Sequence, residues 1–91
     1  MRKLVWHTSF RRAFKKYVKK KPYLEQNIFD ILQRLISDPF EPSLETHKLK
    51  GQLEGLWACK VAYDCRIVFG FENNETGKIV LVDIGTHEEV Y

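Results

Sequence analysis

The chain has 91 residues, of which 44% are hydrophobic and 30% charged, with a net charge of +3 and two cysteines. This composition excludes a disordered chain and a disulfide framework, and no apolar run approaches the ~20 residues that a membrane span needs. The length predicts one domain over residues 1–91, and the charged N-terminus without an apolar signal segment predicts a cytoplasmic protein.

The charge is unevenly distributed along the chain. Residues 1–24 contain nine Lys or Arg and no acid, whereas residues 25–91 contain six bases and twelve acids. A basic segment of this kind attracts polyanions such as nucleic acid. It is equally typical of a solvated, lysine-rich helix face, and composition does not separate the two interpretations.

The first half of the chain predicts a strand and two helices. KLVW at residues 3–6 is a short strand, and Thr8 or Ser9 is the expected cap of the helix that follows. Apolar side chains recur at helical spacing in both helices, and Pro22 suits the first turn of the second. Asp38 precedes a proline and should end that helix. Two helices joined by a few residues form a helical hairpin.

The second half predicts strands. GLWACKVAY (55–63) and CRIVFGF (65–71) are joined by a tight turn at Asp64, NNETG (73–77) is a hairpin loop, and KIVLVDI (78–84) is apolar enough to lie inside the sheet. The order β-α-α-β-β-β predicts an α+β fold in which the helical hairpin packs on one face of a small, mostly antiparallel sheet. The opposite face is then available for a site.

Residues capable of acid–base and phosphate chemistry cluster in this second half. They are His47, Lys48, Lys50, Lys60, Asp64, Arg66, His87 and Tyr91. Two histidines can act as base and acid in one proton-transfer reaction, cations can stabilise a phosphate, and an aromatic ring can stack on an unpaired base. This set suits RNA cleavage in which the ribose 2′-OH attacks the neighbouring phosphorus.

Structural roles compete with these functional ones. His47 is equally consistent with a hydrogen bond inside a loop, Arg66 with an ion pair to Asp64 or Glu54, and Trp57 with packing on the sheet. The two histidines and two cysteines formally provide four zinc ligands. The cysteine spacing is not the short C-x₂₋₄-C of structural zinc sites, and no metal or cofactor is expected.

Three segments together resemble a known family. HKLKG (47–51), KVAYDCRIVF (60–69) and GTHEEVY (85–91) are similar to the RelE/ParE superfamily of bacterial toxin–antitoxin toxins, and most similar to its YafQ-like RelE/StbE branch of mRNA interferases. The resemblance implies a RelE-like, microbial-RNase-like fold over the whole chain. It also implies catalytic roles for His47, Asp64, Arg66, His87 and Tyr91, with Lys48, Lys50 and Lys60 binding phosphate.

The chain departs from that family pattern at three positions. Lys60 replaces a further histidine of the YafQ branch, Cys65 occupies a position that is often aromatic, and Asp83 stands where a basic residue would hold the transition state. An acid at position 83 would repel phosphate, so we expect slower catalysis or a different distribution of roles.

The resemblance implies a toxin of a type II toxin–antitoxin system that cleaves mRNA in the ribosomal A site without a metal. Its expected partners are mRNA, ribosomal RNA contacted by the basic N-terminal segment, and a cognate antitoxin in a hetero-oligomer, with the free toxin a monomer and no membrane contact. The alternatives are a ParE-like gyrase inhibitor without nuclease activity and a catalytically weak interaction module.

Overall fold

The computed structural model describes residues 2–72 and 77–91, so residues 73–76 of the predicted NNETG loop lie outside the described part. The helices are α1 (Thr8–Lys20), α2 (Glu25–Ser37) and a one-turn α3 (His87–Val90). The strands are β1 (Leu4–Trp6), β2 (His47–Lys48), β3 (Trp57–Ala62), β4 (Cys65–Phe71) and β5 (Ile79–Gly85). Short 3₁₀ turns occur at Pro22–Leu24, Pro42–Leu44 and Gly51–Leu53.

The five strands form one mixed sheet in the order β1-β5-β4-β3-β2. Strand β1 runs parallel to β5, and the other neighbours are antiparallel. The predicted α+β class and the mostly antiparallel sheet are confirmed, as is the interior place of the last long strand. The structure adds two elements that were not predicted, the two-residue strand β2 and the helix α3.

The main core lies between the sheet and the helices α1 and α2. Alternate residues of β4 and β5 point into it because side chains on a strand alternate between the two faces of the sheet. Burying one such Leu, Ile or Phe contributes about 1.5–3 kcal/mol. The fully buried side chains of this main core include Phe10, Ile28, Leu35, Ile67, Phe69 and Leu81.

The other face of the sheet has a smaller apolar cluster. Ala58 of β3 and Val68 of β4 are buried there against Val90 of α3. Helix α3 therefore turns back over the face that α1 and α2 leave open, at the end of β5.

The helix boundaries follow the sequence signals with two differences. Pro22 lies in the 3₁₀ turn Pro22–Leu24 that precedes α2, not in the first turn of α2. His7, not Thr8 or Ser9, caps α1, because its Nδ1 accepts a hydrogen bond from the Ser9 backbone N–H at 3.2 Å. The Ser9 hydroxyl instead donates to the Val82 carbonyl at 2.6 Å and ties the start of α1 to β5. Helix α2 ends at Ser37 with Asp38 as its C-cap, as predicted.

The two cysteines are free and buried. Burial raises the pKa of Cys65 and raises that of Cys59 to about 12, so neither is a thiolate near neutral pH. In the part of the chain that the structure describes, no helix has both the length and the apolar character needed to cross a bilayer.

Candidate active site

Strand pairing puts several of the predicted site residues on the face opposite α1 and α2. His47 is the cross-strand partner of Ala58, and Lys60 is the partner of Arg66. Side chains of directly opposed residues share a face of an antiparallel pair. His47, Lys60 and Arg66 therefore emerge on the face of the small cluster of Ala58, Val68 and Val90.

The His47 ring is fixed by two contacts. Its Nδ1 lies 3.0 Å from the Glu45 carbonyl oxygen, and its Nε2 lies 3.4 Å from the Tyr91 hydroxyl oxygen. A carbonyl oxygen only accepts hydrogen bonds, so Nδ1 must carry the proton. In the neutral ring, Nε2 then has the free lone pair and points toward Tyr91.

His87 and Tyr91 reach the same place through α3. Thr86 caps this helix in a capping box, accepting from the Glu89 N–H while the Glu89 carboxylate accepts from the Thr86 N–H. Gly85 allows the close approach, because a Cβ there would lie 2.9 Å from Oε1 and 3.2 Å from Cβ of Glu89.

Tyr91 is in contact with both histidines. The His87 and Tyr91 ring centroids are 4.6 Å apart at an interplanar angle of 88°, and those of His47 and Tyr91 are 6.4 Å apart at 68°. These two distances place the imidazole centroids at most about 11 Å from each other. Residues 40 positions apart in the sequence thus form one cluster of three rings, which we call the His–Tyr–His cluster (His47, Tyr91, His87).

Asp64 contacts this cluster through the backbone. It lies in the tight turn between β3 and β4, and its Oδ1 accepts a hydrogen bond from the His87 backbone N–H at 3.2 Å. The acceptor therefore sits at the N-terminus of α3, where free N–H groups favour a negative charge. Asp64 therefore contacts the backbone of His87, the residue whose imidazole belongs to the cluster.

Arg66 folds back onto the same turn. Its Nη1 donates to the carbonyl oxygens of Ala62, Tyr63 and Cys65 at 2.9, 3.2 and 3.2 Å. The structural role considered for Arg66 was an ion pair with Asp64 or Glu54. The guanidinium instead donates to these three backbone carbonyls. Burial raises the pKa of the Tyr91 phenol, and the half-buried Arg66 guanidinium is close enough to oppose this rise.

The three lysines do not lie together. Lys60 reaches the open edge of β3, where its Nζ is 3.5 Å from a carboxylate oxygen of Glu45. Lys48 is the cross-strand partner of Trp57 and lies over that ring, 5.5 Å from its centroid, on the face away from His47. Lys50 and Lys48 line a cavity of about 380 Å³. Trp57 itself packs edge-to-face against Phe40 and Phe71, which is its structural role.

Two of the departures from the family pattern lie elsewhere in the fold. Cys65 is buried in the main core. Asp83 accepts a hydrogen bond from the Ile84 N–H at 2.8 Å and lines a cavity of about 500 Å³ together with Lys16 and Lys20 of α1. Burial raises the pKa of Asp83, the Ile84 hydrogen bond opposes this, and the Glu89 charge raises it further.

The four formal zinc ligands are divided between the two faces of the sheet. Cys59 and Cys65 point into the main core, whereas His47 emerges on the opposite face. Across residues 2–72 and 77–91, no three His, Cys, Asp or Glu side chains are grouped so as to hold a metal ion.

Sequence reasoning did not identify two residues that shape this site. Glu45 contacts both His47 and Lys60, but no sequence signal indicates which way its carbonyl points. Glu89 completes the capping box that begins α3, and here a signal was available, because the sequence THEE has the Ser/Thr-x-x-Glu pattern of such a box.

Comparison with known proteins identifies the family. The model of a bacterial toxin of type II toxin–antitoxin systems, YafQ, matches residues 2–91. No curated protein matches the chain in sequence. A metal-bound toxin from Helicobacter pylori is 23% identical with a TM-score of 0.79, and each chain is fully covered.

Two further solved structures share the fold. YafQ in the DinJ–YafQ toxin–antitoxin complex of E. coli is 15% identical with a TM-score of 0.79, covering 99% of this chain and 97% of that one. A YoeB/ParE toxin from Agrobacterium tumefaciens is 20% identical with a TM-score of 0.76, covering 93% and 98%. The family match over residues 2–91 establishes that this chain belongs to the YafQ family of bacterial type II toxin–antitoxin toxins.

Proposed function

We propose that this toxin is a ribosome-dependent mRNA endonuclease that cleaves by acid–base catalysis without a metal. The observation that supports it is the His–Tyr–His cluster, in which two exposed imidazoles contact one tyrosine ring beside Arg66. Gyrase binding or a purely structural role requires no such pair of proton-transfer groups.

The arrangement suggests which histidine is the base. Nε2 of His47 has the free lone pair in the neutral ring, so it can take the proton from the ribose 2′-OH. The 2′ oxygen then bonds to phosphorus, the bond from phosphorus to the 5′ oxygen breaks, and protonated His87 gives its proton to that leaving oxygen. The products are a 2′,3′-cyclic phosphate and a 5′-OH end.

The remaining residues bind and orient the substrate. Arg66 and Lys60 are cross-strand partners, so their charges can stabilise the additional negative charge of the pentacoordinate phosphorus once Lys60 turns away from Glu45. Tyr91 is 43% exposed and offers a ring for a base to stack on. Asp64 orients the backbone of His87. Lys48 and Lys50 line a separate cavity, with Lys48 on the face away from His47, and would contact RNA beyond the cleaved bond.

The proposed partners are mRNA in the ribosomal A site, ribosomal RNA and a cognate antitoxin. The DinJ–YafQ complex of E. coli, a structural neighbour, supports an antitoxin that neutralises the toxin in a hetero-oligomer. The free toxin would be a cytoplasmic monomer.

The test compares the three histidines of the chain by the same substitution. His87→Asn and His47→Asn remove the imidazoles, and each should slow mRNA cleavage about 10²–10⁴-fold, the usual contribution of a general acid or base. His7→Asn is the matched control, because asparagine is also a good helix cap, and it should cleave like the wild type.

The measurement is a map of mRNA 5′ ends after induction in cells, together with growth arrest. Codon-phased cuts that disappear in His87→Asn and His47→Asn, but persist in His7→Asn, support the nuclease. DNA damage without cuts would instead identify a gyrase inhibitor. Arrest by neither route, or undiminished toxicity of the double variant, would leave an interaction module.

A further inference from the structure

Glu45 has a backbone conformation that is unusual for its residue type. Its φ of 50° and ψ of 40° are left-handed, and among residues 2–72 and 77–91 no other non-glycine residue has a positive φ. The residue ends the 3₁₀ turn Pro42–Leu44, and its N–H donates to the Pro42 carbonyl at 3.1 Å. Such a conformation costs free energy, so the surrounding contacts must hold it in place.

This conformation directs the Glu45 carbonyl oxygen at the His47 ring, where it accepts from Nδ1 at 3.0 Å. The Glu45 carboxylate meets Lys60 at 3.5 Å, but both side chains are more than a third exposed, and an exposed pair of this kind contributes little. The backbone carbonyl, and not the carboxylate, is therefore the important group of this residue.

We propose that Glu45 is a positioning residue whose left-handed backbone fixes His47 in the tautomer that has the proton on Nδ1. The tautomer follows from the geometry alone. Its catalytic consequence rests on the proposed function, because His47 can accept the 2′-OH proton at Nε2 only while that nitrogen is unprotonated. With the carbonyl turned away, the ring also populates the Nε2–H tautomer, in which the nitrogen facing Tyr91 cannot act as a base.

Three substitutions at Glu45 separate the backbone from the side chain. Glu45→Gly adopts a left-handed conformation freely and Glu45→Gln resembles glutamate, so both should keep the carbonyl in place. Glu45→Val disfavours a positive φ, because β-branched residues are rarely found there. Glu54→Val is the matched control, since Glu54 is also exposed but has an ordinary φ of −56°.

The direct measurement is the ¹⁵N NMR spectrum of the His47 ring at a pH where it is neutral, assigned by the loss of its signals in His47→Asn. We expect the Nδ1–H tautomer in the wild type, Glu45→Gly, Glu45→Gln and Glu54→Val, and a mixture in Glu45→Val. An Nε2–H tautomer in the wild type overturns the proposal, even where Glu45→Val does not fold. An unchanged tautomer in a folded Glu45→Val also overturns it.

The second measurement is single-turnover mRNA cleavage on programmed ribosomes. In Glu45→Val the maximal rate should fall roughly tenfold, within the contribution of a general base, at an unchanged half-saturating concentration. Glu45→Gly and Glu45→Gln should remain near the wild type. An altered tautomer with an unaltered rate would refute the catalytic part. Absence of cleavage by the wild type would instead refute the proposed function, with the NMR result still deciding the tautomer.

Discussion

Tyr91 is the residue that joins the two histidines, and its chemistry differs from theirs. Burial raises the pKa of its phenol, with a smaller opposing effect from Arg66, so the hydroxyl remains protonated near neutral pH. It can therefore donate toward Nε2 of His47 when no substrate is present. Under the proposed function, a ribose 2′-OH would replace the Tyr91 hydroxyl as the donor to Nε2.

Substitutions at Asp64 can distinguish a positioning role of this residue from a role in acid–base catalysis. Asp64→Ala removes the acceptor for the His87 N–H, so the unfolding free energy should fall by about 1 kcal/mol and mRNA cleavage should weaken. Asp64→Asn retains a side-chain oxygen and should recover most of both. The measurements are urea denaturation and ribosomal cleavage. Tyr63→Ala, at a neighbouring side chain that is 92% exposed, is the control and should change neither.

If Asp64 were itself the base or acid, the asparagine variant would be as inactive as the alanine variant. Sequence similarity indicated Asp64 as a site residue but could not distinguish these two roles. The backbone atom that its carboxylate contacts depends on how the β3–β4 turn packs against the start of α3.

At the scale of elements, α3 is stabilised by its capping box and should respond to acid. The hydrogen bond from the Thr86 N–H is the main cause that lowers the pKa of Glu89 below its ordinary value of 4.5. The charged carboxylate thus adds stability above about pH 4.5, and this is lost as the pH falls through the lower pKa of the folded protein.

Glu89→Gln tests this dependence, since glutamine can also complete a capping box. The difference in unfolding free energy between wild type and variant should be constant above pH 4.5 and should shift against the wild type below it. Urea denaturation at pH 3 to 6 measures it, with Glu88→Gln as the neighbouring control. A difference that does not vary with pH would contradict the assigned hydrogen bond.

The long elements and the three-residue strand β1 could be predicted from the sequence, whereas β2 and α3 were not predicted. CRIVFGF alternates apolar side chains over seven residues and matches β4 residue for residue, because a long strand repeats its signal. Strand β2 has two residues, His47 and Lys48, and no period can be read from two positions. The His–Tyr–His cluster depends on β2 and α3, so its residues could be proposed by family resemblance while its geometry could not.

At the scale of the whole molecule, the bases of α1 form one exposed surface. Six of its residues are exposed Lys or Arg, namely Arg11, Arg12, Lys15, Lys16, Lys19 and Lys20. We expect this surface to dock on ribosomal RNA. Lys15→Gln and Lys19→Gln should each weaken ribosome binding and reduce the slope of log affinity against log salt by about 0.7–0.9 per lost phosphate contact.

Binding titrations at several salt concentrations measure this slope. Lys78→Gln makes the same change at an exposed lysine beyond α1 and should leave it unaltered. Equal losses in all three variants would show that net charge, and not the surface of α1, determines ribosome binding.

Under the proposed function, the position of β5 in the sheet would determine when the toxin becomes active during its own synthesis. Residues 79–81 pair with residues 4–6 on one side and with β4 on the other, and β5 leads directly into α3. A nascent chain that has emerged only as far as β4 has His47 and Arg66 but lacks β5, the interior strand between β1 and β4, and with it His87 and Tyr91. Under the proposed function, the nascent toxin cannot cleave the mRNA of its own ribosome until β5 has left the exit tunnel and paired with β1 and β4.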